Sequence, residues 1–160
     1  MADVTIRPAL RADLPAVGQL GAHLLRVHYE FDRGRFMRPG EDSEEGYSWF
    51  LGSQLQAADV LVLVAELDGA VIGYLYAGIE PRSWKELRDE AGFIHDIVVT
   101  EKARGKRVAD RLIDSALEWM RGRGMPRVLL WTAAPNATAQ RVFERHGFRS
   151  TMIEMTRELS

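Results

Sequence analysis

Ile97-Val98-Val99-Thr100-Glu101-Lys102-Ala103-Arg104-Gly105-Lys106-Arg107-Val108-Ala109 passes from a β-branched apolar run, through a charged turn holding one glycine, into a helical pattern. A strand that feeds a helix start leaves backbone N–H groups without intrahelical partners, at the positive end of the helix dipole. Gly105 lets a ligand approach the backbone, and Arg104, Lys106 and Arg107 can add charge-assisted bonds. The passage predicts a pyrophosphate-sized anion site, with an exposed basic helix start as the competing reading.

Downstream, Val108, Leu112, Ala116 and Met120 form one i, i+4 row and Ala109, Ile113 and Leu117 the adjacent one. The spacing predicts a helix over 104–121 that lays a broad face on a sheet and ends at Gly122, Gly124 and Pro126. A buried strand over 127–132 follows, then a helix over 135–146 stopped by Gly147. Residues 148–159 alternate well enough for one strand or two short ones.

Upstream, the pattern gives a strand at 4–7 and a helix that starts near Asp13 and Pro15. A loop over 32–45 and a second helix over about 43–56 follow. The acidic stretch Glu41, Asp42, Glu44, Glu45 reads as a solvated helix start. Residues 60–67 and 70–79 are apolar runs joined by Asp68-Gly69, a two-residue hairpin signal, and 93–100 is the next strand. The 80–92 connection has room for one helical turn. The order predicts an α/β (α+β) fold: a central mixed, mostly antiparallel sheet with helices on both faces.

The chain of 160 residues fits a single domain, 1–160, with 46% hydrophobic and 28% charged residues. It has no cysteine, which excludes disulfides, thiolate metal sites and a cysteine acyl-enzyme. A net charge of -2 gives no general drive toward nucleic acid, so any anion must be held locally. The four histidines are scattered, which argues against a metal site, and no apolar run approaches a membrane span. The expected setting is cytoplasmic, without membrane or nucleic-acid partners. Trp49, Trp84, Trp119 and Trp131 are dispersed and read as packing or loop residues.

The 104–109 segment resembles the GNAT N-acetyltransferase family, whose signature there is Arg or Gln, two residues, Gly, one residue, then Gly or Ala. Arg104 and Ala109 match, and Arg107 stands where the family has glycine. The likeness extends to 94–99 as the family's fourth strand, to Val71-Ile72-Gly73-Tyr74 as its third, and to 136–148 as its later helix motif. It implies a GNAT-like acyl-CoA N-acyltransferase fold. Acetyl would pass directly from acetyl-coenzyme A, the acyl-donor cosubstrate, to a primary amine of a small molecule or peptide.

Position by position, the resemblance implies that backbone groups of Ile97, Val98 and Val99 pair with the pantetheine arm. Amides of Arg104, Gly105, Lys106, Arg107, Val108 and Ala109 would hold the pyrophosphate, with Asn136 and Phe143 near the thioester. Many relatives carry tyrosine at the Phe143 position, and phenylalanine has no proton to give a departing thiolate. Asn136 reads equally as a helix cap, and Phe143 also as a core aromatic.

An acceptor ammonium must lose a proton before its nitrogen attacks. His95 is the candidate catalytic base, set where some relatives carry glutamate, with a reference pKa of about 6.5. A histidine satisfied at the sheet surface is the competing reading. In a regular strand Asp96 points to the opposite face, so the two are not expected to form an adjacent pair unless a bulge turns one. Tyr29 and Asp32, entering the loop after the first helix, are candidate acceptor-side residues. Two rival functions remain: a non-catalytic acyl-CoA-binding regulatory module, suggested by Arg107 and Phe143, and a cofactor-free interaction protein, with pairing near 151–158. A homodimer is left open.

Overall fold

The computed structural model describes residues 2–160. Five strands form one sheet in sequence order: β1 (Thr5–Pro8), β2 (Val60–Leu67), β3 (Ala70–Glu80), β4 (Ala91–Val99) and β5 (Val128–Leu130). The first four pair antiparallel and β5 pairs parallel to β4. The β2–β3 hairpin turns on Asp68 and Gly69, both at positive φ (52° and 78°), which matches the twist of the flanking strands.

Helices cover both faces. On one side α1 (Leu14–Phe31) and α2 (Ser43–Gln54) set Val17, Leu20 and Leu51 against Val64, Tyr74 and Val98. Gly18 brings the two helices together: a Cβ there would lie 2.5 Å from the Glu44 carbonyl oxygen. Beside it the Ser48 hydroxyl donates to the Leu14 carbonyl at 2.7 Å. On the other side α3 (Val108–Gly122) and α4 (Ala137–Arg145) bury Val108, Leu112, Ile113, Ala116, Met120 and Phe143 against Leu63, Leu75, Ala77 and Ile94.

Three expectations need correction. The helix of the opening stretch begins at Val108, four residues late, because Arg104 is extended (ψ 140°) and Gly105 and Arg107 take φ of 77° and 55°. The 80–92 connection holds no α-helical turn; it closes on an isolated bridge between Ser83 and Arg88. Residues 149–160 form no strand, join no sheet and are exposed throughout. No described helix is long and apolar enough to cross a membrane.

Candidate functional site

Strand β4 organises the site. Its pairing with β5 covers only Gly92, Phe93 and Ile94, opposite Val128, Leu129 and Leu130, while β4 itself runs on to Val99. From His95 onward its β5-side edge has no strand partner among the described residues, because β5 stops at Leu130, and this uncovered stretch of edge forms a wedge beside the end of β5. Backbone groups of Ile97, Val98 and Val99 that do not pair with β3 face that opening.

The wedge begins at a bulge. Tyr76 of β3 pairs with Asp96, and the next residue, Ala77, pairs with Ile94, so His95 is an extra residue in the ladder. Ile94 and Ile97 both pack with the α3-side core, and the two residues between them turn the other way. The His95 ring lies against Tyr76 and Phe93, and Asp96 accepts from the Tyr74 hydroxyl at 3.1 Å on the α1–α2 side. The alternation expected from a regular strand is thus overturned: His95 and Asp96 share one face.

His95 Nε2 lies 2.9 Å from Glu80 Oε1. A carboxylate only accepts, so Nε2 carries a proton, and in the neutral ring Nδ1 is then the nitrogen with the lone pair. Among the described residues no hydrogen bond occupies Nδ1. The arrangement is an imidazole oriented by a carboxylate, with its basic nitrogen available. Asp96 sits half-buried. Burial pushes its carboxyl above the ordinary range, while the Tyr74 hydroxyl and the nearby His95 and His28 pull the other way. Burial also pushes the Tyr47 hydroxyl up to about 12, with the Asp96 charge adding to it.

At the far end of β4, a 3₁₀ turn (Glu101–Ala103) leads through Arg104 and Gly105 to Arg107, the N-cap of α3. Arg107 provides no side-chain cap, and the first helical bond runs from the Arg111 amide to its carbonyl. The amides of the first helical turn are therefore open to an anion, whereas those of Arg104 and Lys106, expected to share in it, donate instead to the Glu101 and Ala103 carbonyls at 3.0 and 3.2 Å because the 3₁₀ turn and the residues after it use them. A Cβ on Gly105 would meet nothing within 4 Å, so the approach is clear. Arg104 and Arg107 are about 80% exposed and hold Glu101 and Asp110 only at 3.5 Å. These residues fit a pyrophosphate.

Other candidates fall elsewhere. Asn136 caps α4, its Oδ1 accepting from the Ala139 amide at 3.2 Å. Phe143 is buried in the α3-side core, edge-on to Phe148. The Asp32 carboxylate accepts from the Gly34 and Arg35 amides and so shapes its own turn. Tyr29 stands beneath the Arg33 and Arg38 guanidiniums. No hydrogen bond or ring contact joins Tyr29 or Asp32 to His95. Glu80 and Tyr76 were missed, because their place beside His95 follows from cross-strand register rather than from any local motif.

Comparison with known proteins agrees with this geometry. The profile of the "Acetyltransferase (GNAT) family" matches residues 24–148. A mycothiol acetyltransferase of Cellulomonas flavigena is 32% identical over 98 residues, 58% of this chain but only 28% of that protein. An uncharacterized N-acetyltransferase of Archaeoglobus fulgidus is 28% identical over 78% of this chain and 84% of its own. Among solved structures, a tetramutant of the BH1408 protein from Bacillus halodurans superposes with a TM-score of 0.80 at 18% identity, covering 97% of this chain and 99% of that one. The aminoglycoside N-acetyltransferase AAC(6')-Iy in complex with CoA superposes with a TM-score of 0.75 at 20% identity, over 100% and 97% of the two chains. With the profile spanning most of the sequence and the β4 wedge and α3 start in place, the chain belongs to the GNAT acetyltransferase family.

Proposed function

We propose that this protein is an N-acetyltransferase that moves acetyl from acetyl-coenzyme A directly to a primary amine. The observation that carries the reading is the β4 bulge. It sets His95, oriented by Glu80, beside Asp96 where the pairing of β4 with β5 ends, on the strand that leads to the open amides at the start of α3. In this reading Ile97, Val98 and Val99 carry the pantetheine arm and the Gly105, Arg107, Val108 and Ala109 amides carry the pyrophosphate.

The acceptor enters from the α1–α2 side and its ammonium proton passes to His95 Nδ1, directly or through one water. The freed amine attacks the thioester carbonyl carbon, with unpaired β4 amides placed to meet the developing oxyanion. Attack forms the C–N bond, the adduct's nitrogen gives up its second proton to water, and collapse of the tetrahedral adduct breaks the C–S bond, so that the sulfur leaves as thiolate. The buried Phe143 has no proton for it, so solvent protonates it afterwards.

Calorimetric titration with acetyl-coenzyme A, beside ATP as a control, tests the premise. Saturable binding selective for the coenzyme is expected; its absence would sink the reading. Thiol release over an amine panel then tests the chemistry. His95→Gln is expected to lower kcat by about 10²-fold or more and to flatten the pH profile. Glu80→Gln should lower it less, because only the orientation of the ring is loosened.

A further inference from the structure

Five rings run without a break along the α1–α2 face of the sheet. Phe50 of α2 meets Tyr76 edge-on at 5.8 Å, Tyr76 lies 4.9 Å from the His95 ring, His95 stacks on Phe93 at 5.1 Å, and Phe93 meets Trp131 edge-on at 5.4 Å. Strand register fixes where the row stands. Leu130 pairs with Ile94, so the next residue, Trp131, is level with His95 at the place where the pairing of β4 with β5 ends. Phe93 is buried, but Trp131 is 71% exposed and Phe50 42%, so the row is open on both sides of the His95 ring. Exposed ring surface gathered at one cleft is what an apolar ligand covers.

The charge on this face has one sign. Glu80 lies 2.9 Å from His95, Asp96 accepts from the Tyr74 hydroxyl at 3.1 Å, and among the described residues no lysine or arginine pairs with either carboxylate. The basic groups that act on Asp96 are the imidazoles of His95 and His28. Arg88, whose guanidinium lies 5.7 Å from the Phe93 ring, is held by Glu86 at 2.7 Å. A cation entering the cleft therefore meets two carboxylates that lack an ammonium or guanidinium of the protein's own, and a ligand carboxylate meets like charge.

We propose that the acceptor is an arylalkylamine without a carboxylate: a flat aromatic body joined by a short chain to a primary ammonium. The body lies along Tyr76, His95 and Trp131, and the ammonium sits at the bulge between Glu80 and Asp96, where His95 Nδ1 takes its proton. Ring faces and carboxylates both attract a cation, and the aromatic body packs on the rings. A polyhydroxylated amine would leave those rings against polar groups, and an α-amino acid would bring its own carboxylate, one carbon from the ammonium, against Glu80 and Asp96. The inference rests on the acetyl-transfer reading of the same cleft, yet its test reads amine binding without turnover.

Phenethylammonium, butylammonium and phenylalanine are titrated calorimetrically into the wild-type protein, alone and saturated with coenzyme A. The aryl amine is expected to bind about tenfold tighter than the alkyl one, for the ring, and at least as much tighter than the amino acid, for the carboxylate. Trp131→Ala and Phe50→Ala should each narrow the first gap and leave the second, whereas Glu80→Gln should narrow the second and leave the first. Trp131→Phe should keep most of the ring preference, and circular dichroism melts check that each variant folds. Equal affinities for the aryl and alkyl amines, a gap that neither ring variant touches, or phenylalanine bound as tightly as phenethylammonium overturns the proposal. If the aryl preference holds and acetyl-coenzyme A fails to bind, the amine site stands and the transfer reading falls. Coenzyme binding without aryl preference leaves acetyl transfer standing and removes the aryl acceptor.

Discussion

Arg107 holds its backbone at φ 55°, ψ 34°, where a side chain costs about 1 kcal/mol relative to glycine. The strain sits at the position where the anion-loop signature has glycine, so the folded loop shows why that residue type belongs there. Arg107→Gly is expected to stabilise the native state by about 1 kcal/mol in urea melts, since the Arg107 side chain is exposed and its one ion pair among the described residues, to Asp110, is long at 3.5 Å. Asp96 supplies a pH test. Burial raises its folded pKa, so the native state binds that proton more tightly than the unfolded chain does. Stability from this group is full below the unfolded carboxylate value of about 4 and is lost as pH rises through the folded one. Asp96→Asn keeps an acceptor for Tyr74 and should melt higher than wild type at pH 7, the advantage vanishing as pH falls toward 4. An advantage that persists at pH 3.5 would mean the gain has another cause.

Between elements, α3 and the C-terminal end of α4 are joined by carboxylates, the buried one being Asp110. Asp110 is 7% exposed and takes Arg145 and His146, each at 2.8 Å, while His146 Nδ1 faces Asp114 at 3.2 Å. Burial works against the Asp110 charge, but hydrogen bonds from His146 and Arg145 outweigh it and hold the carboxyl below its usual range. Its contribution is therefore present above about pH 4 and fades as pH falls through the folded value. Asp110→Ala is expected to cost about 2 kcal/mol at pH 7 in thermal melts, shrinking toward pH 3, because it strands two donors at a packed interface. A loss that does not change with pH would instead point to packing. The elements were largely legible in the sequence: Val60–Leu67 has the limits its apolar run predicts, and Asp68-Gly69 makes the expected hairpin. The bulge was not, because period-two alternation through His95 and Asp96 looks the same whether or not the partner strand skips a residue. The late start of α3 was hidden for a related reason: nothing in the residue type of Arg107 announces a left-handed backbone.

For the whole molecule, net charge and local charge oppose each other. The chain carries -2, yet the loop before α3 presents Arg104, Lys106 and Arg107 to solvent beside open helix amides. Residues 149–160 show the same limit of sequence reading at this scale, since their alternation is that of a strand, yet alternation does not say which sheet edge a segment reaches, and they join none. A polyphosphate ligand approaching from a distance meets no attractive field, so coenzyme binding should depend on contacts within about one Debye length, 8–10 Å at ordinary ionic strength. Salt should accordingly weaken the bound state by screening those cations. Acetyl-coenzyme A affinity is expected to fall about tenfold between roughly 50 and 500 mM NaCl, and Arg104→Gln with Lys106→Gln to remove most of that slope while leaving the melting temperature nearly unchanged. Both side chains are exposed, so their loss should not disturb the core. A slope that survives the double substitution would move the phosphate contacts away from this loop; an affinity indifferent to salt in the wild type would assign them to the uncharged amides of the helix start.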